Sequence, residues 1–299
     1  MSVPTMLSVS ELKSKLGDTV VLDGSWHMPA MKRDPIAEFK EIGHIPGARY
    51  FDIESIKDKS SSLPHMMPSA EQFAAQVGEL GISNDDHVVV YDTIGFFSAP
   101  RVYWMFKAFG HNKVSVLDGG FKAWKAAGYP IEYGEANIEP KTFKTGNLNK
   151  SLIRNYDQIL QIAKDQDGNQ HITIVDARSN DRFSGAAPEP RKGLSSGHMP
   201  GAKNVSFKEL FDSESGKLHS NEQIRKTFHD AGVDVNQLTT SGSSGQPGKD
   251  REVIMSCGSG VSACVLYFAL ERLGVKNLAV YDGSWSEYAS RPESIIVKD

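Results

Sequence analysis

The stretch Val253-Ile254-Met255-Ser256-Cys257-Gly258-Ser259-Gly260-Val261-Ser262-Ala263-Cys264, continuing as Val265-Leu266-Tyr267-Phe268-Ala269-Leu270-Glu271-Arg272-Leu273-Gly274, decides how this chain is read. Val253 to Ser256 is a short apolar run that stops at a glycine-punctuated turn. After Gly260 apolar residues return at helical spacing, so the pattern predicts strand, tight loop and helix. Cys257 then stands at the start of the loop. Backbone N–H groups of a glycine-rich loop and of the following helix N-terminus converge on one spot, with the positive end of the helix dipole behind them. That setting favours the thiolate, the form of cysteine that acts as a nucleophile. Cys264 falls inside the helix among Val261, Val265 and Phe268 and reads as a buried structural thiol.

Two other motifs fit the stretch locally. Gly258-x-Gly260-x-x-Ala263 after a strand, with Asp282 about 20 residues further on, satisfies the dinucleotide-binding fingerprint. It leaves the cysteine at the turn unexplained, and the 17 residues after Asp282 are too few for the remaining strands of a nucleotide-binding half. A phosphatase loop needs an arginine six positions after the cysteine, and position 263 is alanine.

Outward from the loop the chain repeats itself. His44-Ile45-Pro46-Gly47-Ala48-Arg49-Tyr50-Phe51 returns as His198-Met199-Pro200-Gly201-Ala202-Lys203-Asn204-Val205, and Val21-Leu22-Asp23 returns as Ile174-Val175-Asp176. Val88 to Asp92 matches Val253 to Cys257, and Leu117-Asp118-Gly119-Gly120 matches Tyr281-Asp282-Gly283-Ser284. The displacement grows from 154 positions at the first pair to 165 at the third, which places an insertion in the second copy, with Thr239 to Asp250 the candidate. Each copy reads helix, strand, loop, strand, helix, strand, helix, strand, helix. The fold class expected is therefore α/β, two tandem domains, each a mainly parallel sheet with helices on both faces. The expected division is 1–133, a linker at 134–150, and 151–299. Ser8-x-x-Glu11 has the form of a capping box opening the first helix. Asp92 occupies the place of Cys257 in the first copy, and a carboxylate does not replace a thiolate nucleophile, so that copy is expected to be catalytically silent.

The bulk numbers agree with this. At 299 residues the chain holds two domains of ordinary size. A net charge of −4 with dispersed Lys and Arg offers no global field for nucleic acid or membrane. Two cysteines make no disulfide framework, and the nine scattered histidines show no metal-ligand spacing. The N-terminus lacks an apolar signal core and an arginine-rich transit pattern, and no apolar run approaches a membrane span, so the expected location is the cytoplasm.

The run Cys257-Gly258-Ser259-Gly260-Val261-Ser262 closely resembles the active-site loop of the 3-mercaptopyruvate sulfurtransferases of the rhodanese superfamily, with Ser262 where threonine is usual. The related thiosulfate sulfurtransferases carry basic residues after the cysteine, where this chain has Gly258 and Ser259, so the resemblance points to 3-mercaptopyruvate as donor and makes thiosulfate the alternative. It implies tandem rhodanese-like domains over essentially the whole chain, a persulfide on Cys257, no cofactor, and substrate contacts along Gly258, Gly260, Val261 and Ser262. Arg182 and Arg191 match the two arginines that bind the substrate carboxylate and carbonyl, a task suited to their planar forks. Ser259, His65 and Glu54 correspond to a proton relay whose carboxylate is usually aspartate. The acceptor it implies is a small thiol, thioredoxin, cyanide or a sulfur-carrier protein, and a mitochondrial location is compatible with it. From the residues alone Arg178 reads as structural, tying a strand end to its neighbours, and Arg101 likewise. A non-enzymatic binding module is the contrasting reading, against which stands the intact loop around Cys257.

Overall fold

The computed structural model describes residues 3–239 and 251–299 and contains two five-stranded, all-parallel sheets. The first is built from β1 (Met6–Leu7), β2 (Thr19–Asp23), β3 (Arg49–Tyr50), β4 (His87–Tyr91) and β5 (Val114–Leu117), in the order β1-β5-β4-β2-β3. The second repeats that order with β6 (Ile153–Arg154), β7 (Ile172–Asp176), β8 (Lys203–Asn204), β9 (Glu252–Ser256) and β10 (Leu278–Tyr281), as β6-β10-β9-β7-β8. The duplication read from the sequence is thus a duplicated sheet. The registers agree residue for residue: Thr19–Asp23 pairs with His87–Tyr91, and Ile172–Asp176 with Glu252–Ser256.

Helices join the strands: α1 (Val9–Lys15), α2 (Pro35–Glu41), α3 (Ala70–Glu79), α4 (Ala99–Ala108) and α5 (Gly120–Ala126) in the first copy. In the second they are α6 (Tyr156–Lys164), α7 (Asn180–Ser184), α8 (Asn221–Asp230), α9 (Val235–Thr239), α10 (Ala263–Arg272) and α11 (Ser284–Tyr288). Ser8 and Glu11 form the capping box expected of them, and Ser69/Gln72, Asn155/Gln158 and Ser220/Gln223 do the same for α3, α6 and α8. The long loop expected after Asp23 contains α2, opened by Asp34, whose carboxylate accepts the N–H groups of Ile36 and Ala37, with Pro35 at the first helical position where its missing N–H costs nothing. The insertion expected at Thr239–Asp250 lies outside the described residues apart from Thr239, which ends α9.

Helices on both faces exclude water from the central strands, as a parallel sheet requires. Val88–Tyr91 and Val253–Met255 are fully buried. One apolar core gathers Leu12, Val21, Phe39, Val89 and Trp124, and the other Ile159, Ile174, Ile254, Trp285 and Tyr288. The chain divides into two compact units. The first holds Met1–Ser60, Met67–Asn149 and Phe211–Leu218; the second holds Ser61–Met66, Lys150–Leu210 and His219–Asp299.

Candidate active site

Strand β9 ends at Ser256, and Cys257 is the first residue beyond it, 1% exposed. The chain turns through Gly260, whose φ of +79° is open to glycine at no steric cost, and enters α10 at Ala263. The loop is strapped to α11. The Cys257 carbonyl accepts the Trp285 N–H at 2.9 Å, and the Gly258 carbonyl accepts both the N–H and the hydroxyl of Ser286, at 2.9 and 2.5 Å. The Cys257 N–H donates to Ser284 Oγ at 3.2 Å, and that hydroxyl donates to the Tyr281 carbonyl at 2.8 Å. The Val261 and Ser262 carbonyls turn into α10, accepting the N–H groups of Cys264 and Val265. Cys264 is fully buried with Sγ 3.2 Å from the Gly260 carbonyl, in keeping with a structural thiol.

The corresponding turn of the silent copy, one residue longer, holds an anion. Asp92 stands where Cys257 does, and its carboxylate accepts five backbone N–H groups: Ile94 and Gly95 on Oδ1, Phe97, Ser98 and Ala99 on Oδ2, at 2.7 to 3.0 Å. The strap recurs too, with the Phe121 N–H on the Asp92 carbonyl at 3.1 Å. A strand-to-helix turn of this shape is a cradle for negative charge.

Arg182 and Arg191 converge on the second residue of the cysteine loop. A Cβ on Gly258 would lie 3.3 Å from Arg182 Nη2 and 3.7 Å from Arg191 Nη1, so a side chain there would press against the Arg182 guanidinium. Arg182 is aimed by Glu189, which accepts Nε at 3.1 Å on one oxygen and Nη2 at 2.6 Å on the other. Glu189, its side chain 3% exposed, also accepts Arg178 Nη1 at 2.8 Å. Arg178 is buried, forks onto Asp176 at the end of β7, and lies 4.1 Å over the Trp285 ring. Burial works against the Arg178 charge, and Asp176 and Glu189 outweigh it, raising its pKa. The structural reading of Arg178 therefore has a purpose: Asp176, Arg178 and Glu189 fix where Arg182 points.

Ser259, 5% exposed, has its hydroxyl 3.1 Å from His65 Nδ1. His65 is itself buried and held at φ +60°, a left-handed backbone that costs a non-glycine residue about 1 kcal/mol or more. His65 thus belongs to the second unit, through Ser61–Met66. Glu54 lies in the first unit, where its carboxylate accepts Trp26 Nε1 at 3.0 Å and Lys57 Nζ at 2.9 Å. Among the described residues no group of three or more His, Cys, Asp or Glu side chains is arranged to hold a metal ion, and no helix is long and apolar enough to cross a membrane.

A buried cysteine heading a strand-to-helix turn, with two arginines at the next residue and a serine–histidine pair at the one after, defines a protein equipped for covalent chemistry on a small anion. The chain belongs to the rhodanese family: the rhodanese-like domain matches residues 8–127 and again 160–291. It is 43% identical over 98% of its length to thiosulfate/3-mercaptopyruvate sulfurtransferase 2 of Arabidopsis thaliana, covering 86% of that protein. It is 41% identical over 92% of its length to the 3-mercaptopyruvate sulfurtransferase of Rattus norvegicus, covering 87% of it. The crystal structure of SseA from Escherichia coli, described as a 3-mercaptopyruvate sulfotransferase of rhodanese fold, superposes with a TM-score of 0.79 at 34% identity, covering 95% of this chain and 99% of that one.

Proposed function

We propose that this protein is a sulfurtransferase that takes the sulfur of 3-mercaptopyruvate onto Cys257, releases pyruvate, and passes the sulfur to an acceptor thiol, cyanide or sulfur-carrier protein. The observation that carries this reading is the meeting of Arg182 and Arg191 at Gly258, the residue after the nucleophile. The two arginines have different tasks. Glu189 takes Nε and one N–H of Nη2 from Arg182, leaving the second N–H of the Nη2 that faces Gly258 and those of Nη1, which suits a single carbonyl oxygen. Among the described residues no carboxylate clamps Arg191, which offers a whole fork to the substrate carboxylate.

Cys257 thiolate attacks the substrate sulfur and the S–C3 bond breaks. Its electron pair passes into the carbonyl as an enolate, which Arg182 stabilises and which takes a proton at C3 to become pyruvate. The Ser259 hydroxyl and His65 form the path along which that proton moves. The persulfide anion left on Cys257 sits in the cradle whose twin holds Asp92. An acceptor nucleophile removes the outer sulfur and restores the thiolate, so the kinetics are ping-pong. Cys257 must be reduced, which suits the cytosol or the mitochondrial matrix.

The Arabidopsis relative is named for both donors, which keeps thiosulfate as the second reading. Intact mass of wild type and Cys257→Ser after brief exposure to each donor separates the two. We expect one added sulfur and prompt pyruvate from 3-mercaptopyruvate, both lost in Cys257→Ser. Faster labelling by thiosulfate reverses the donor assignment, and no labelling by either, in folded protein, removes the enzymatic reading.

A further inference from the structure

The first copy retains more than the loop. Arg33 donates Nε to Glu38 Oε1 at 2.7 Å and Nη2 to Glu38 Oε2 at 2.6 Å, and the same Nη2 reaches Thr93 Oγ1 at 3.3 Å. Arg182 uses the same two nitrogens on Glu189 and brings the same Nη2 to Gly258. Thr93 follows Asp92 as Gly258 follows Cys257. An arginine clamped by a glutamate and presented to the second residue of the loop is therefore present in both copies, although the sequence around the two arginines differs.

Beside this clamp is a cavity of about 480 Å³, within the range of small-molecule sites. Its cations are Arg33, Lys122 and Lys125, and Met31, Ile42 and Phe121 give it an apolar wall. Two of those apolar side chains, Met31 and Ile42, are 39% and 54% exposed. Lys122 Nζ donates to the Ser213 carbonyl at 2.8 Å, and Lys125 Nζ lies 4.9 Å from the Phe121 ring centre, so both ammonium groups are held at the cavity. Glu38 offsets the charge of Arg33 and leaves those of Lys122 and Lys125. Its carboxylate is shared between Arg33 and His27, and hydrogen bonding from Arg33 is the chief reason its pKa is lowered. Asp92 is 1% exposed and saturated by five amides, so it neither reacts nor repels from the loop.

We infer that the silent copy is a binding site for a small organic carboxylate with an apolar body, which it holds without chemistry. Arg33 and Lys125 take the carboxylate and Phe121, Met31 and Ile42 cover the body. The choice of a 2-oxo carboxylate as probe rests on the proposed function of the second copy; the cavity and its charges do not.

The test is calorimetric titration of the full chain with phenylpyruvate, beside phenylacetone, the same skeleton without the carboxylate. Phenylpyruvate binding is expected to survive in Arg182→Ala/Arg191→Ala, to weaken about tenfold or more in Lys125→Glu, as loss of a charge-assisted contact predicts, and to be absent with phenylacetone. Lys125 is exposed and Lys125→Glu is expected to release pyruvate from 3-mercaptopyruvate at the wild-type rate. Binding lost in Arg182→Ala/Arg191→Ala and unchanged in Lys125→Glu overturns this inference and leaves the catalytic reading standing. Binding that follows Lys125, in a wild type that never releases pyruvate, upholds the inference and removes the catalytic reading. No binding to wild type overturns it outright.

Discussion

Ser284 is fully buried and adopts φ +49°, a left-handed conformation in which an L side chain costs about 1–2 kcal/mol. Its hydroxyl compensates by accepting the Cys257 N–H and donating to the Tyr281 carbonyl. Replacing it therefore separates two terms. Ser284→Ala keeps the strain and orphans both buried partners, at about 1–3 kcal/mol for each one left unsatisfied. Ser284→Gly orphans the same partners and relieves the strain, less up to about 1 kcal/mol for the greater freedom of glycine in the unfolded chain. Both variants should be less stable than wild type, with the glycine variant above the alanine variant by about 1 kcal/mol, the reverse of the order inside an ordinary helix. Urea unfolding followed by tryptophan fluorescence measures the difference. An alanine variant as stable as the glycine variant would refute the reasoning, because it would mean that the strain at residue 284 does not exceed the entropic cost of glycine. The first copy shows why the serine belongs to one loop alone. Gly120 has the same conformation, φ +53°, but a Cβ there would lie 2.2 Å from the Asp92 carbonyl oxygen.

Two further outcomes follow from comparing the copies. Cys257→Asp should fold and exceed Cys257→Ser in stability at pH 7 by about 1–3 kcal/mol, since a carboxylate in the twin position collects five amide bonds; equal melting curves would show that the two cradles differ. Asp23 ends β2 as Asp176 ends β7, but Ser25 stands where Arg178 does, and burial raises the Asp23 pKa from 3.8 to about 6. The folded state holds that proton more tightly than the unfolded chain, so the stability it contributes is complete below pH 3.8 and is lost as pH rises through about 6. Asp23→Asn should accordingly gain up to about 2–3 kcal/mol over wild type above pH 6 and nothing near pH 4; a gain independent of pH would point to packing instead of ionisation.

The parts of this structure that were legible in the sequence are those carried by local pattern. Val88–Tyr91 and Val253–Ser256 are continuous apolar runs ending at turn residues, and the strands there are central and buried. The cysteine at the end of one such run was visible as a nucleophile for the same reason, and the repeat exposed Asp92 as its silent counterpart. What local pattern cannot carry was missed. Strands β1 and β6 are two residues long and exist only because β5 and β10 present a free edge to pair with. Helix α2 buries Phe39 alone, so its apolar period was too weak to read, although Asp34-Pro35 announced its start. Glu189 is not legible as the clamp on Arg182, because a carboxylate's partners are set in three dimensions. Ser284 carried one overlooked signal, that its twin is a glycine.

Each compact unit owns a short segment encoded within the other repeat's stretch: Ser61–Met66 goes to the second, Phe211–Leu218 to the first. A gene cut at the repeat boundary would thus yield no complete half. A fragment beginning at Lys150 would lack His65, the partner of Ser259, however well its sheet formed. Duplication created two copies, but with this reciprocal loan neither stretch of sequence carries the whole of its own unit.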